Sequence, residues 1–212
     1  MEKYQKSVFI YIVAFLSVLI PVPGRFVYGF TIMMELTLLA LSGTFIDFFV
    51  KKLGLHQMRT SIVLFMLIAI TILYRQIFSI VQSEVALILG FVFYIPSISL
   101  FLIGLILKED EKTLPEKLKS NMTNILIFDI FGLLFFLFRD IAGYGTFTFF
   151  GKNHQIFEKV LFNESKPGIF GFFATIPGAL ILSGIILFVY LVILQKFKII
   201  KNSKQQDSVE EN

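Results

Sequence analysis

The chain has 212 residues, 56% of them hydrophobic and 16% charged, with 27 Phe, no Trp and no Cys. A soluble domain carries roughly a quarter charged residues, so this composition excludes an ordinary cytosolic globule. The net charge of +4 does not point to nucleic acid, because Lys and Arg fall in short clusters between apolar runs instead of gathering in one patch. The absence of Cys excludes disulfides, thiolate metal sites, Cys-ligated iron–sulfur clusters and Cys nucleophiles within this chain.

A bilayer-spanning helix needs about 20 mostly apolar residues, and six segments approach that length: about 7–22, 26–50, 61–81, 85–107, 121–138 and 169–195. The first ends at Pro21-Val22-Pro23-Gly24-Arg25, either a tight hairpin or the kink of a discontinuous helix. Lys3 and Lys6 before an apolar stretch raise the alternative of a signal peptide. Against it, no small-x-small cleavage site follows, and another span begins at once. The fourth span contains Gly90, Pro96, Ser97 and Ser99 and is a second candidate for interruption.

The 108–119 connection mixes both charge signs around Pro115 and reads as a solvated loop. The expected fold is an all-α integral membrane protein of six transmembrane helices, the first and fourth interruptible. It forms one domain over residues 1–200, followed by a polar, disordered tail at 201–212. With six spans, both termini share a face with the 51–60 and 108–120 connections. Thirteen of the 19 Lys and Arg residues fall on that face, which the positive-inside tendency places in the cytoplasm.

Ionisable groups inside apolar spans cost several kcal/mol unless paired or hydrated, so Glu35 in span two and Asp129 in span five are the candidate ion path. The alternative for each is a structural one: the two carboxyls paired with each other across two helices, or one of them packed on Arg75. Asp47 and Arg75 lie nearer span ends, where snorkelling accounts for them. Gly90, Gly104, Gly132, Gly171, Gly178 and Gly184 lie in or beside spans and are read as points of close helix approach. His56 and His154 fall in loops on opposite faces, so no metal site follows from them. Asn163-Glu164-Ser165 matches a glycosylation sequon.

Arg139-Asp140-Ile141-Ala142-Gly143-Tyr144-Gly145-Thr146 closes the fifth span. Its glycines either leave backbone N–H groups free for an oxygen ligand or form a helix C-terminus capped by Gly143, which is the favoured reading.

Arg139, Asp140, Gly143, Gly145 and Thr146 resemble the Arg-Glu-x-x-Gly-x-Gly-Thr signature of the small membrane subunits of the Rnf and Nqr electron-transport complexes. Pro177-Gly178-Ala179, at the last span, is similar to a Pro-Pro-Gly-Ala stretch of the E-type Rnf subunit and its Nqr counterpart. The resemblance implies six spans in a bacterial inner membrane and a homologous inverted partner among other Rnf/Nqr-like subunits. It also implies a role in coupling electron transport to sodium or proton movement.

Family members supply two Cys, from spans one and four, to a shared iron–sulfur centre. Those positions fall near Leu16-Ser17 and Ser99-Leu100, and neither holds Cys. Asp140 stands where the family has Glu. The resemblance therefore implies a non-catalytic subunit that binds no cofactor alone, with flavin and iron–sulfur groups on its partners. Arg139, Asp140, Gly143, Gly145 and Thr146 are read as shaping the loop and a subunit contact. A derived relative, or an unrelated six-span carrier of a small solute or ion, is the competing class.

Overall fold

The structure is a computed structural model and describes residues 18–108, 113–152, 154–162, 171–186, 188, 189 and 192. Among the described residues, three helical stretches are long and apolar enough to cross a membrane: Phe26–Lys52, His56–Val81 and Ser83–Ile106. Most of the first expected span, including Leu16 and Ser17, lies outside the described residues, as do the sequon and the tail.

Helix α1 (Phe26–Lys52) is the centre of the bundle. Its buried positions include Tyr28, Ile32, Leu36, Leu39 and Gly43, spaced by three and four residues, so one stripe faces the interior over the whole length. Helix α2 (Arg59–Val81) runs back against it, joined by a short turn at His56–Met58.

The fourth expected span is broken as its composition suggests. It consists of α3 (Ser83–Leu89), a tight turn at Gly90–Phe93, α4 (Tyr94–Ile98) and α5 (Leu100–Ile106). Gly90 takes φ +44°, which a side chain would resist. Ser99 is extended, and its hydroxyl accepts from the Leu102 N–H at 3.3 Å, restarting the helix as an N-cap.

Helix α6 (Leu114–Phe138) begins inside the segment read as a solvated loop. Thr113 and Glu116 form a capping box: the Thr113 N–H and hydroxyl both donate to Glu116 Oε2, at 3.1 and 2.9 Å. Pro115 sits in the first turn, where its missing N–H costs nothing. The Pro and the charges mark a helix start here, not a loop.

Of all the pairs in the bundle, α1 and α6 make the most extensive contact. A Cβ at Gly29 would collide with the Phe136 ring, and one at Gly132 would meet Met33 Sδ at 2.6 Å. Each helix thus receives a bulky side chain of the other where it has none of its own. At Gly104 and Gly184 a Cβ would meet no described residue within 4 Å.

After α6 the chain forms one wide helical turn, Arg139–Tyr144, and then an antiparallel hairpin. Its strands are β1 (Thr146–Phe150) and β2 (Ile156–Val160), with Thr146 opposite Val160 and Phe150 opposite Ile156. The hairpin departs from the all-α expectation. Its alternating Thr and Phe residues favour a strand with two distinct faces. Thr146 and Thr148 turn inward, while Phe147 and Phe149 lie against Phe26 of α1. A turn at Gly171–Ala174 leads into helix α7 (Ile176–Ile186), the described part of the sixth expected span.

Candidate functional site

The α1–α2 and α1–α6 interfaces place the two candidate carboxylates on different sides of α1. Glu35 is completely buried, and neither of its oxygens has a hydrogen-bond partner among the described residues. Thr71 of α2 lies beside it, and the Thr71 hydroxyl is likewise buried without a hydrogen bond. The register follows from the next turn, where Tyr74 donates to the Thr31 carbonyl at 3.0 Å. Thr31 is four residues before Glu35 and Tyr74 three after Thr71, so the antiparallel helices bring Glu35 and Thr71 to one level.

Asp129 of α6 accepts from the Thr37 hydroxyl at 2.5 Å through Oδ2, and its Oδ1 has no hydrogen bond among the described residues. Glu35 and Thr37 are two residues apart on α1 and project roughly 200° apart, toward α2 and α6 respectively. The expected pairing of the two carboxyls is therefore not formed. Packing on Arg75 is not formed either, since that guanidinium approaches the Tyr94 hydroxyl at 3.3 Å.

Asp47 behaves otherwise than its span-end position suggested. It does not snorkel: its side chain is fully buried, held by Arg59 Nε at 2.5 Å and Lys117 Nζ at 2.5 Å. Arg59 Nη2 also donates to the Leu107 carbonyl at 3.0 Å. Beside this cluster, Asn121 donates to Thr44 at 3.0 Å. The ends of α1, α2, α5 and α6 are thereby tied together. Arg59 and Lys117 were counted as charges of the polar face; burial on the bundle brings them to Asp47. A buried carboxyl on α1 and an early-helix Lys on α6 are linked only by tertiary packing.

The Arg139–Thr146 motif forms a third cluster, at the end of the bundle where α1 begins. Asp140 is completely buried, and both its oxygens are satisfied. Oδ1 accepts from the Thr146 hydroxyl at 2.8 Å. Oδ2 accepts from the Thr148 N–H at 2.8 Å, the Thr148 hydroxyl at 2.7 Å and the Phe26 N–H at 3.1 Å. Arg25 makes no side-chain cap for α1, so Asp140 supplies the anion at that N-terminus from across the fold.

Arg139 is buried with no carboxylate on its guanidinium among the described residues. It donates to main-chain carbonyls instead: Val22 at 2.9 Å, Phe173 at 3.1 Å, Ala174 at 3.1 Å and Thr175 at 3.5 Å. The motif thus joins the Pro21–Arg25 break, the hairpin and the entry to α7.

Two expectations about the glycines change. The left-handed residue that ends the helix is Gly145, φ +73°, and not Gly143. The Gly145 N–H donates to the Ile141 carbonyl at 3.1 Å, so it is not free for a ligand. Gly143 serves a close approach, since a Cβ there would meet the Ala174 nitrogen at 2.9 Å. At Gly178, next to Pro177 in the first turn of α7, a Cβ would collide with the Phe172 carbonyl oxygen. Arg139 and Asp140 are both completely buried and make these contacts within the chain.

Leu100, near the second expected cysteine position, is largely exposed at the start of α5. Among the described residues no group of His, Asp and Glu could hold a metal ion. His154 lies against the Val81 carbonyl, Nδ1 to oxygen 2.8 Å, far in sequence from His56. The residues that sequence reasoning missed, Thr71, Thr37, Arg59, Lys117 and Thr148, are single polar groups whose importance comes from what packs opposite them. The Thr113-x-x-Glu116 spacing was the legible signal that Lys117 begins a helix.

No protein-family model matches the chain, and no curated protein or solved structure matches it.

Proposed function

We propose that the chain is a membrane subunit of an Rnf/Nqr-like complex that couples electron transport to sodium or proton translocation, working without the family's cysteine-ligated centre. Glu35 and Asp129 form its ion path. The observation that carries the reading is a pair of buried carboxyls with three of their four oxygens lacking a hydrogen bond among the described residues. Groups left in that state inside apolar helices are retained at a cost in stability, which a role in binding and releasing a cation explains.

The chemistry of electron transfer belongs to cofactors on partner subunits, and this chain contributes position and surroundings. Six spans, with both termini in the cytoplasm and a homologous inverted partner, complete the proposal.

The test is isolation of the assembled complex and its reconstitution in liposomes. Electron-driven ion uptake is expected to fall at least tenfold in Glu35→Gln or Asp129→Asn, with assembly intact. Unchanged uptake in both variants sinks the ion path. Iron in stoichiometric amount on this subunit itself sinks the claim of a lost centre. Solute transport by the purified chain alone establishes the competing carrier class.

A further inference from the structure

We infer that Glu35 is a proton-binding site, occupied as a carboxylic acid in the resting protein, with Thr71 as the group that receives and positions its proton. The inference rests on the ion-path reading and names the ion at this site. Three buried polar atoms meet here without hydrogen bonds among the described residues: Glu35 Oε1, Glu35 Oε2 and Thr71 Oγ1. Both side chains are completely buried.

The balance of donors and acceptors decides the ion. A carboxylate only accepts, whereas a carboxylic acid and a hydroxyl each carry one donor and lone pairs. A proton on Glu35 lets the pair satisfy itself across the α1–α2 interface, and no charge remains in the apolar bundle. An ionised Glu35 beside one hydroxyl leaves an oxygen unmet and a charge with no counter-ion among the described residues.

Among the described residues, the polar groups that face Glu35 from the packed helices are Thr71 and Tyr74 of α2 and Thr31 of α1. None is cationic. The Tyr74 hydroxyl is committed to the Thr31 carbonyl at 3.0 Å, and the Thr31 hydroxyl to the Val27 carbonyl at 2.8 Å. A hard metal cation takes about six oxygen ligands. Among the described residues the site offers two carboxylate oxygens and one hydroxyl without hydrogen bonds, fewer than such a cation takes from protein alone, and these suffice for a proton.

Thr71 is a positioning residue: it holds the acid form and fixes the direction in which the proton lies. When the site empties, the proton leaves the Glu35 carboxyl and the carboxylate must meet water or a second proton donor. No covalent step is involved.

Infrared spectroscopy of the full chain, purified with the subunits that accompany it, tests the inference directly. At neutral pH the protonated-carboxyl stretching signal is expected in the natural protein and to lose the Glu35 component in Glu35→Gln. In Thr71→Val, a nearly isosteric change, the same component shifts to higher frequency because a hydrogen bond is gone. Replacing sodium chloride with choline chloride leaves the signal unchanged.

A signal identical in the natural protein and Glu35→Gln overturns the inference. So does a signal that sodium abolishes in the natural protein, which identifies a metal-cation site. The protonation and transport readings fail separately. The Glu35 component, found together with undiminished ion uptake by Glu35→Gln complexes, upholds the proton site and removes Glu35 from the path.

Discussion

Glu35 and Asp47 are both buried on α1, twelve residues or about 18 Å apart along the helix axis, and they are treated in opposite ways. Asp47 has two cations on its two oxygens. Among the described residues Glu35 has none, and the polar groups that face it are Thr71, Tyr74 and Thr31. The charge at Asp47 is part of what holds four helix ends together; at Glu35 a charge would oppose the packing around it. Burial alone therefore does not decide whether a carboxyl is paired with cations. The partners brought by other helices do.

The largest effect expected from breaking this contrast is at Asp47. Asp47→Ala leaves Arg59 and Lys117 buried beside each other without their shared anion, at a cost of about 3–5 kcal/mol. Chemical denaturation in mild detergent should show a correspondingly lowered midpoint. A midpoint equal to that of the natural protein would mean the three side chains find water instead of each other.

Second is Arg139→Met, which keeps much of the volume but frees carbonyls of Val22, Phe173 and Ala174. A loss of about 2–3 kcal/mol is expected. Faster proteolysis in the segments around Pro23 and Ala174 would locate the damage there.

Thr113→Ala sharpens the comparison at the Asp47 end, since it removes one side of the capping box that starts α6 just before Lys117. About 1 kcal/mol is expected. Hydrogen exchange confined to the first turn of α6 checks it, and protection unchanged at residues 114–117 would deny the cap any role.

The smallest effect on stability is expected at Glu35. Glu35→Gln removes no ion pair and replaces an acid by a neutral amide of the same shape, so the unfolding midpoint should move by less than about 1 kcal/mol in either direction. The same variant is expected to have the large effect on ion uptake. A destabilisation approaching that of Asp47→Ala would erase the distinction between the two carboxyls.

Much of this architecture was legible from residue order. Apolar runs of the right length located α1, α2 and the α3–α5 stretch, and Gly90 and Ser99 marked where the last would break. Other features depended on partners distant in the chain. Asp140 caps α1 across 114 residues, and Lys117 reaches Asp47 across 70; no local pattern encodes either pairing. The hairpin was legible in its Thr-Phe alternation but was too short to stand out beside long apolar segments. Gly143 and Gly145 were recognised as special, yet which one adopts positive φ depended on the wide turn that α6 makes before the hairpin.

The sequence by itself determined that this chain belongs with membrane-spanning proteins, that it lacks every thiolate chemistry, and that Glu35 and Asp129 are out of place in their spans. Hydrophobic length, residue inventory and desolvation cost are properties of the chain before it folds. Only the tertiary structure decided which acidic groups are paired. Side chains on α1 meet their counterparts through helix packing, and the angle around the helix at which each residue projects selects two cations for Asp47, a threonine hydroxyl for Asp129, and for Glu35, among the described residues, a threonine with no charge to balance it.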